Sequence, residues 1–243
     1  MPAPDRSSLQ NRLLRALAPE DFSLLQPHLV PVPLPKGAVV IRADEPFDHA
    51  YFPESGLASV IFNTREGRRL EVGLFGREGM VSTALVLGAD RTPHETLVQV
   101  EGTWLRIEAE TLREAIRRSP RLHDLLMRYV QTFLLVLSQT ALSNGTRTIE
   151  ERLARWLLLA HDRLDGDDLP LTHEFLSIML GAHRPAVTNA IHVLEGNRMI
   201  KAKRSVITVL DRDRLQDAAG DTYGIAEAEY ERLIGPFSDK RAL

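Results

Sequence analysis

The 243-residue sequence contains no cysteine. Disulfides, thiolate nucleophiles, cysteine-held zinc and iron–sulfur clusters are excluded together. A strong global charge is also missing. The formal net charge is −3, so any attraction for a polyanion must come from a local patch. There is no GxxxxGK[ST] phosphate loop, no HExxH zinc pair and no GxSxG nucleophile elbow. The eight histidines are scattered singly, without the HxH-plus-glutamate cluster of an open metal site. A metal-dependent, cupin-like enzyme therefore lacks its constellation, and no catalytic or metal-binding residue is assigned. The opening MPAPDRSSLQNRLLRAL carries arginines but no continuous apolar core, so it does not read as a secretory signal, and a cytoplasmic location is expected.

What is present is a soluble composition, 44% hydrophobic and 26% charged, with ample material for a core. Leucines at helical spacing, broken by Pro19 and Pro27, predict two short helices at the start, the second opening at Ala18-Pro19-Glu20-Asp21. From Val30 to about Ile107, short runs such as AVVI, LASVIF, LEVGLF and TLVQV alternate with turn signals, among them Pro35-Lys36-Gly37 and Arg65-Glu66-Gly67. Such spacing predicts an antiparallel roll or barrel. Helical texture returns at Glu108 to Arg118. Ser119-Pro120 then starts a longer helix, serine as cap and proline in the first turn, which is expected to stop at Gly145.

Between Arg128 and Arg147 that helix has no charged side chain. Gln131, Thr132, Ser138, Gln139, Thr140, Ser143 and Asn144 make it too polar for a membrane span. A helix buried on two sides accounts for it, one side on its own roll and the other on a second copy. Leu126, Val130, Phe133 and Leu137 recur at intervals of four, three and four, as in a coiled-coil seam, and form the expected dimer interface. Beyond Gly145, read as a hinge, Thr148 to Glu151 forms a capping box that opens ERLARWLLLAHDRL.

The stretch LTHEFLSIMLGAHRPAVTNAIHVLEGNRMIKAKRSVITVLD carries the function. Thr172 caps a helix with Phe175, Leu176, Met179 and Leu180 inward. Gly181 supplies the positive φ of a tight turn. A second helix follows, with Pro185 in its first turn and Val187, Ile191 and Leu194 as its buried stripe. His183, Arg184, Thr188, Asn189 and His192 are left outward. Arginine can donate two bonds to guanine and asparagine can pair with adenine. A charged turn, Lys201-Ala202-Lys203-Arg204, and the strand Val206–Val209 then predict a two-stranded wing. From His183 to Arg204 five basic residues face Glu195 alone, a local charge of +4. Such a patch binds phosphates by releasing counterions. Helix, turn, polar face and basic wing together favour DNA over a protein-binding module. Thr172, His183, Arg184, Thr188, Asn189, His192, Lys201, Lys203 and Arg204 are the expected DNA-binding residues.

These residues resemble the Crp/Fnr family of bacterial transcription regulators. The similarity runs from about Leu13 to Asp211, through PHLVPVPLPKGAVVIRADEPFDHAYFPESGLASVIF, ERLARWLLL and LTHEFLSIMLGAHRPAVTNAIHVLEGNRMI. It implies an α+β chain with a cyclic-nucleotide-binding-like antiparallel β-roll, a long dimerisation helix and a C-terminal winged helix-turn-helix. The expected spans are 1–118 for the sensor roll with its flanking helices, 119–145 for the dimerisation helix and hinge, 146–216 for the DNA-binding domain and 217–243 for an extension without an assigned role.

Departures from the family pattern matter as much. Cyclic-AMP-binding members grip ribose and phosphate with a Gly-Glu pair and an Arg-Ser pair; here Ser82-Thr83 and His94-Glu95 stand in their place. The arginine fork is lost and a carboxylate replaces it, which argues against ordinary cyclic AMP binding. Thr140 falls near the position that meets the adenine ring. Ser82, Thr83, His94, Glu95 and Thr140 are the candidate effector-pocket residues, with the effector unassigned. A haem sensor would have to use His28, His49 or His94, each read first as a surface or hydrogen-bonded histidine. In the recognition helix, Arg184 matches a family arginine, while Pro185 and Asn189 replace a glutamate and an arginine. The expected protein is a cytoplasmic homodimer that binds double-stranded palindromic DNA, works with RNA polymerase, avoids membranes and answers to a small-molecule effector in the roll. The alternative within the class is a constitutive DNA binder with a vestigial roll.

Overall fold

Two short helices, α1 (Arg12–Ala16) and α2 (Pro19–Leu25), begin the fold. Asn11 caps α1 by accepting a hydrogen bond from the Leu14 amide at 2.9 Å, and Pro19 sits in the first turn of α2, where its missing N–H costs nothing. The computed structural model describes residues 4–237; residues 1–3 of the first expected span and 238–243 of the C-terminal extension lie outside the described residues.

The roll follows as β1 (Val30–Leu34), β2 (Val39–Ile41), β3 (His49–Pro53), β4 (Leu57–Asn63), β5 (Arg69–Phe75), the short α3 (Thr83–Val86), β6 (Glu95–Val100) and β7 (Gly102–Glu108). The strands form two antiparallel sheets, in the orders β1-β7-β3 and β2-β6-β4-β5. Alternation along β4 is what shapes the protein. Ala58 and Val60 point into the core of the roll, while Leu57 and Ile61 belong to a second core on the opposite face. A strand buried on both faces implies that something must cover the outer side.

Next come α4 (Ala109–Arg118) and the long α5 (Pro120–Thr146). Ser119 caps α5 by accepting from the Leu122 amide. By length and composition α5 could cross a membrane, but Leu122, Leu126, Tyr129, Val130 and Phe133 are buried in the core of the same chain's roll. Phe133 stacks on Phe75 with ring centroids 4.5 Å apart. This corrects the expected dimer seam. Leu126, Val130 and Phe133 are taken up inside the protomer, and Leu137 packs half-buried beside them. The exposed stripe of α5 is displaced by one residue, to Met127, Gln131, Leu134, Ser138 and Ala141. The helix also passes through Gly145, and the break falls at Arg147, with φ −108° and ψ 150°. The expected hinge thus moves two residues onward, because Thr148 in extended geometry caps the next helix and sets the turn.

That helix, α6 (Ile149–His161), starts with the expected capping box between Thr148 and Glu151. It is followed by β8 (Asp168–Leu169), α7 (His173–Leu180), α8 (Arg184–Gly196), β9 (Ile200–Lys203), β10 (Val206–Val209), α9 (Arg212–Ala219) and α10 (Ile225–Leu233). The small sheet has three strands, β8-β10-β9, rather than the expected two. Lys201 to Lys203 lie in β9, and only Arg204-Ser205 make the turn, with Ser205 at φ 62°. The extension is folded as far as residue 237. Tyr230 on α10 donates to the Glu78 carbonyl at 2.6 Å and meets Phe237 edge-on at 5.2 Å. Both rings are buried in the core of the roll, so the C-terminal segment straps the helical C-terminal half to the roll.

Candidate DNA-binding surface and sensor cavity

Helix α7 is capped by Thr172, whose hydroxyl accepts from the Phe175 amide at 3.3 Å. It buries Leu176, Met179 and Leu180 and ends at Gly181 in the left-handed region, φ 56°. A side chain there would be strained, and its Cβ would lie 2.6 Å from Leu70. Helix α8 buries Val187, Ala190, Ile191 and Leu194. Its other side presents His183, Arg184, Asn189 and His192 exposed, with Thr188 half-buried and near His173 Nδ1 at 3.3 Å. Arg184 forms a surface ion pair with Glu174 at 2.9 Å, a contact weak enough to exchange for a phosphate or a base edge.

Beside this face lies the wing. Lys201, Lys203 and Arg204 are exposed. A cleft between α8 and the wing is lined by Thr172, His192, Lys203 and Arg204. Glu195, the lone acid between His183 and Arg204, accepts from the Ala202 amide at 3.0 Å. Its charge is directed to the backbone of the wing, and the basic surface is left to face outward. Of the expected DNA-binding residues, Thr172, His192, Lys203 and Arg204 meet around this one cleft.

The N-terminal half holds an apolar cavity of about 150 Å³ between the roll and α5. Ser82, Thr83 and His94 line it, together with Val60, Phe75 and Phe133. Ser82 is itself left-handed, φ 76°, a conformation that costs a non-glycine residue energy. Burial lowers the pKa of His94, favouring the neutral imidazole, and its Nδ1 lies 2.7 Å from the Thr92 hydroxyl. The other two expected pocket residues are not in the lining. Glu95 forms an ion pair with Arg69 at 2.7 Å, and Thr140 donates to the Val136 carbonyl within α5. The Glu95 partner comes from another strand, which sequence spacing does not reveal, whereas the Thr140 partner lies one turn back in the same helix.

Residues 31–119 match the family described as cyclic nucleotide-binding domain, and residues 151–218 match the family described as Crp-like helix-turn-helix domain. The two matches cover the roll and the DNA-binding unit in the order found here. The chain belongs to the Crp/Fnr family.

Solved structures share the fold at low identity. FixK2 from Bradyrhizobium japonicum superposes with a TM-score of 0.68 at 17% identity, over 79% of this chain and 98% of that one. A CRP-family transcriptional regulator from Thermus thermophilus gives 0.64 at 18%, over 78% and 97%. The c-di-GMP responsive global regulator CLP of Xanthomonas campestris gives 0.63 at 19%, over 79% and 99%. Among curated proteins no relative matches the sequence.

In this Crp/Fnr protein the cavity has no charged lining residue, and the nearby Arg69 is committed to Glu95. A cyclic nucleotide phosphate would lose its hydration there without a counter-charge. A haem does not suit the site either. His28 and His49 border a separate surface cleft, away from His94, and the cavity is far smaller than a macrocycle. Among the described residues, no group of three His, Asp or Glu side chains converges as a metal site.

One set of residues was not anticipated from the sequence. The outer face of the β4–β5 sheet carries Ser59 and Glu71, both buried. Glu71 accepts from Ser59 and, at 2.6 Å, from Trp156 Nε1 of α6. Ser59 also lies 3.4 Å from Met179 Sδ of α7. Nearby, Arg163 and Glu78 form a buried pair at 2.8 Å. The DNA-binding unit is therefore docked on the roll by an apolar contact with polar groups embedded in it.

Proposed function

We propose that this Crp/Fnr protein is a homodimeric, sequence-specific transcription regulator that acts in the cytoplasm on a palindromic operator, together with RNA polymerase. One observation carries the reading: an exposed polar helix face, α8, lies beside a wing whose exposed Lys201, Lys203 and Arg204 form no ion pair among the described residues. Arg184 and Asn189 supply the base-reading chemistry, and Lys201, Lys203 and Arg204 supply phosphate contacts. Neither group is organised for bond-making, which fits a family of regulators.

An exposed stripe on α5 supports a second copy docking there. Met127 and Leu134 are 38% and 48% exposed, and the stripe Met127, Gln131, Leu134, Ser138 and Ala141 follows intervals of four, three, four and three. That is the spacing of a coiled-coil seam. Its later members are small, which lets two helices approach closely. Two such copies would present their α8 helices to half-sites about 34 Å apart. The presence of a cavity favours a sensing roll over a vestigial one. Selection of bound sites from random duplex DNA tests the proposal: a two-fold symmetric consensus is expected, and recovery of no enriched sequence contradicts it.

A further inference from the structure

The cavity and the docked DNA-binding unit lie on opposite faces of one sheet. On β4, Val60 lines the cavity, and its neighbours Ser59 and Ile61 face the DNA-binding side. On β5, Val72 lines the cavity, while the adjacent Glu71 holds Trp156. On β6, Thr96 lines the cavity, and Gln99, three residues on, reaches Met179 Sδ at 3.6 Å. The far wall of the cavity is α5, through Val130, Phe133, Leu134 and Leu137. Packed cores shift between discrete arrangements rather than deforming freely. A change in cavity contents therefore has a one-layer path to Trp156 and Met179.

The lining also restricts the occupant. Its volume, about 150 Å³, matches that of protein cavities that accept benzene or xenon. No lining residue is ionised at neutral pH, because the walls are aliphatic, aromatic and hydroxyl-bearing and burial keeps His94 neutral. An anion or cation would be desolvated without compensation. The hydroxyls of Ser82, Thr83, Thr92 and Thr96 and the His94 imidazole allow one or two hydrogen bonds to an otherwise apolar guest. Leu87 and Leu134, both exposed in the protomer and both in the lining, mark where the cavity meets the surface, at Leu134 on the stripe proposed above as the dimer seam.

We propose that this cavity binds a small uncharged molecule about the size of one aromatic ring, with a single hydrogen-bonding group, and that its occupancy alters DNA binding through the sheet shared with the DNA-binding unit. The second half rests on the regulator reading above. The guest excludes water from the Val60–Val72 face. It also adds contacts to Phe133 and Leu137, so the two faces of the sheet are coupled by packing and no charge needs to move.

The full-length protein, with isoleucine, leucine and valine methyls labelled, is titrated with benzene, phenol and cyclic AMP, and operator binding is measured on the same samples. Benzene and phenol should give saturable shifts at Val60, Val72, Val130, Leu134 and Leu137, phenol binding the more tightly, and cyclic AMP should give none. Ala84→Phe, which fills a half-buried position in the lining, should abolish the shifts. If that variant does not fold, xenon under pressure in crystals of the unaltered protein should occupy the same space. Saturating phenol should change operator affinity by at least about fivefold, within the usual range of coupling between sites. Absence of saturable shifts, shifts that survive Ala84→Phe, or competition by cyclic AMP overturns the site. Unchanged operator affinity at saturation overturns the coupling. DNA binding without ring binding removes the cavity proposal alone, whereas ring binding by a protein that binds no DNA removes the regulator reading alone.

Discussion

Trp156 donates its indole N–H to Oε1 of Glu71 at 2.6 Å, across the junction between the DNA-binding unit and the β-roll. The carboxylate is buried, with Ser59 on its other oxygen. Burial is the main influence on it, pushing its pKa up to about 7. The hydrogen bonds from Ser59 and Trp156 and the charges of Arg155 and Arg163 act in the opposite direction. Near neutrality the junction therefore contains a group on the edge of ionising.

The sign of the pH dependence follows. A carboxyl raised in the folded state favours the neutral acid. Its contribution is complete below the ordinary carboxylate range and is lost as pH rises through about 7. Up to about 3 kcal/mol is involved. Glu71→Gln keeps partners for Ser59 and Trp156 without the titration. Chemical unfolding followed from about pH 5 to about pH 8 should show a falling stability in the natural protein and a flatter one in the variant. Parallel profiles would remove Glu71 as the source.

Adjacent residues of α5 separate folding from association. Leu134 is 48% exposed and Phe133 is 9% exposed. Leu134→Asp should leave a folded monomer, with the circular dichroism of the natural protein but half its sedimenting mass. Phe133→Asp, which places a charge against Phe75, should cost several kcal/mol and unfold the roll. A Leu134→Asp protein that still sediments as a dimer would place the seam elsewhere.

The C-terminal strap has a measurable energy. Tyr230→Ala removes a buried ring and its bond to the Glu78 carbonyl. A loss of about 3–5 kcal/mol is expected in denaturant titrations, whereas Tyr230→Phe should cost only about 1 kcal/mol. Equal effects would show that the hydroxyl dominates.

Local chemistry was legible in the sequence. Ser119-Pro120, the Thr148–Glu151 box and Gly181 each specify a helix end through atoms a few residues apart, and each is realised. The helix-turn-helix and its basic wing are legible for the same reason, although the two-residue β8, which follows Asp165-Gly166-Asp167, gives no signal. The orientation of α5 was not legible. Apolar residues occupy both Leu126–Val130–Phe133 and Met127–Leu134, and periodicity identifies a stripe without saying which one meets the roll. Glu71 is harder still. In LEVGLF it reads as the solvent-facing residue of an alternating strand, and only the approach of Trp156, 85 positions along the chain, buries it. Glu95 lies outside the cavity lining through a partner of the same kind, Arg69, 26 positions back, whereas Thr140 bonds to the Val136 carbonyl one turn back in its own helix.

Two substitutions on the DNA-binding surface should have opposite signatures. Arg184→Ala should cost about 1–3 kcal/mol for the preferred operator and relax selectivity at one base pair of each half-site. Replacing Lys201 and Lys203 by glutamine should weaken all sequences alike and lower the slope of log affinity against log salt by about two. Fluorescence anisotropy over a salt series distinguishes them. An unaltered slope in the glutamine variant would take the wing off the DNA backbone.

Enrichment of bound duplexes from a random library, performed at low salt on the full-length protein, addresses the DNA-reading role of α8. The expected product is a two-fold symmetric sequence with half-sites one helical turn apart, whose enrichment at one position per half-site disappears with Asn189→Ala. An even distribution of recovered sequences, or none retained, would contradict that role.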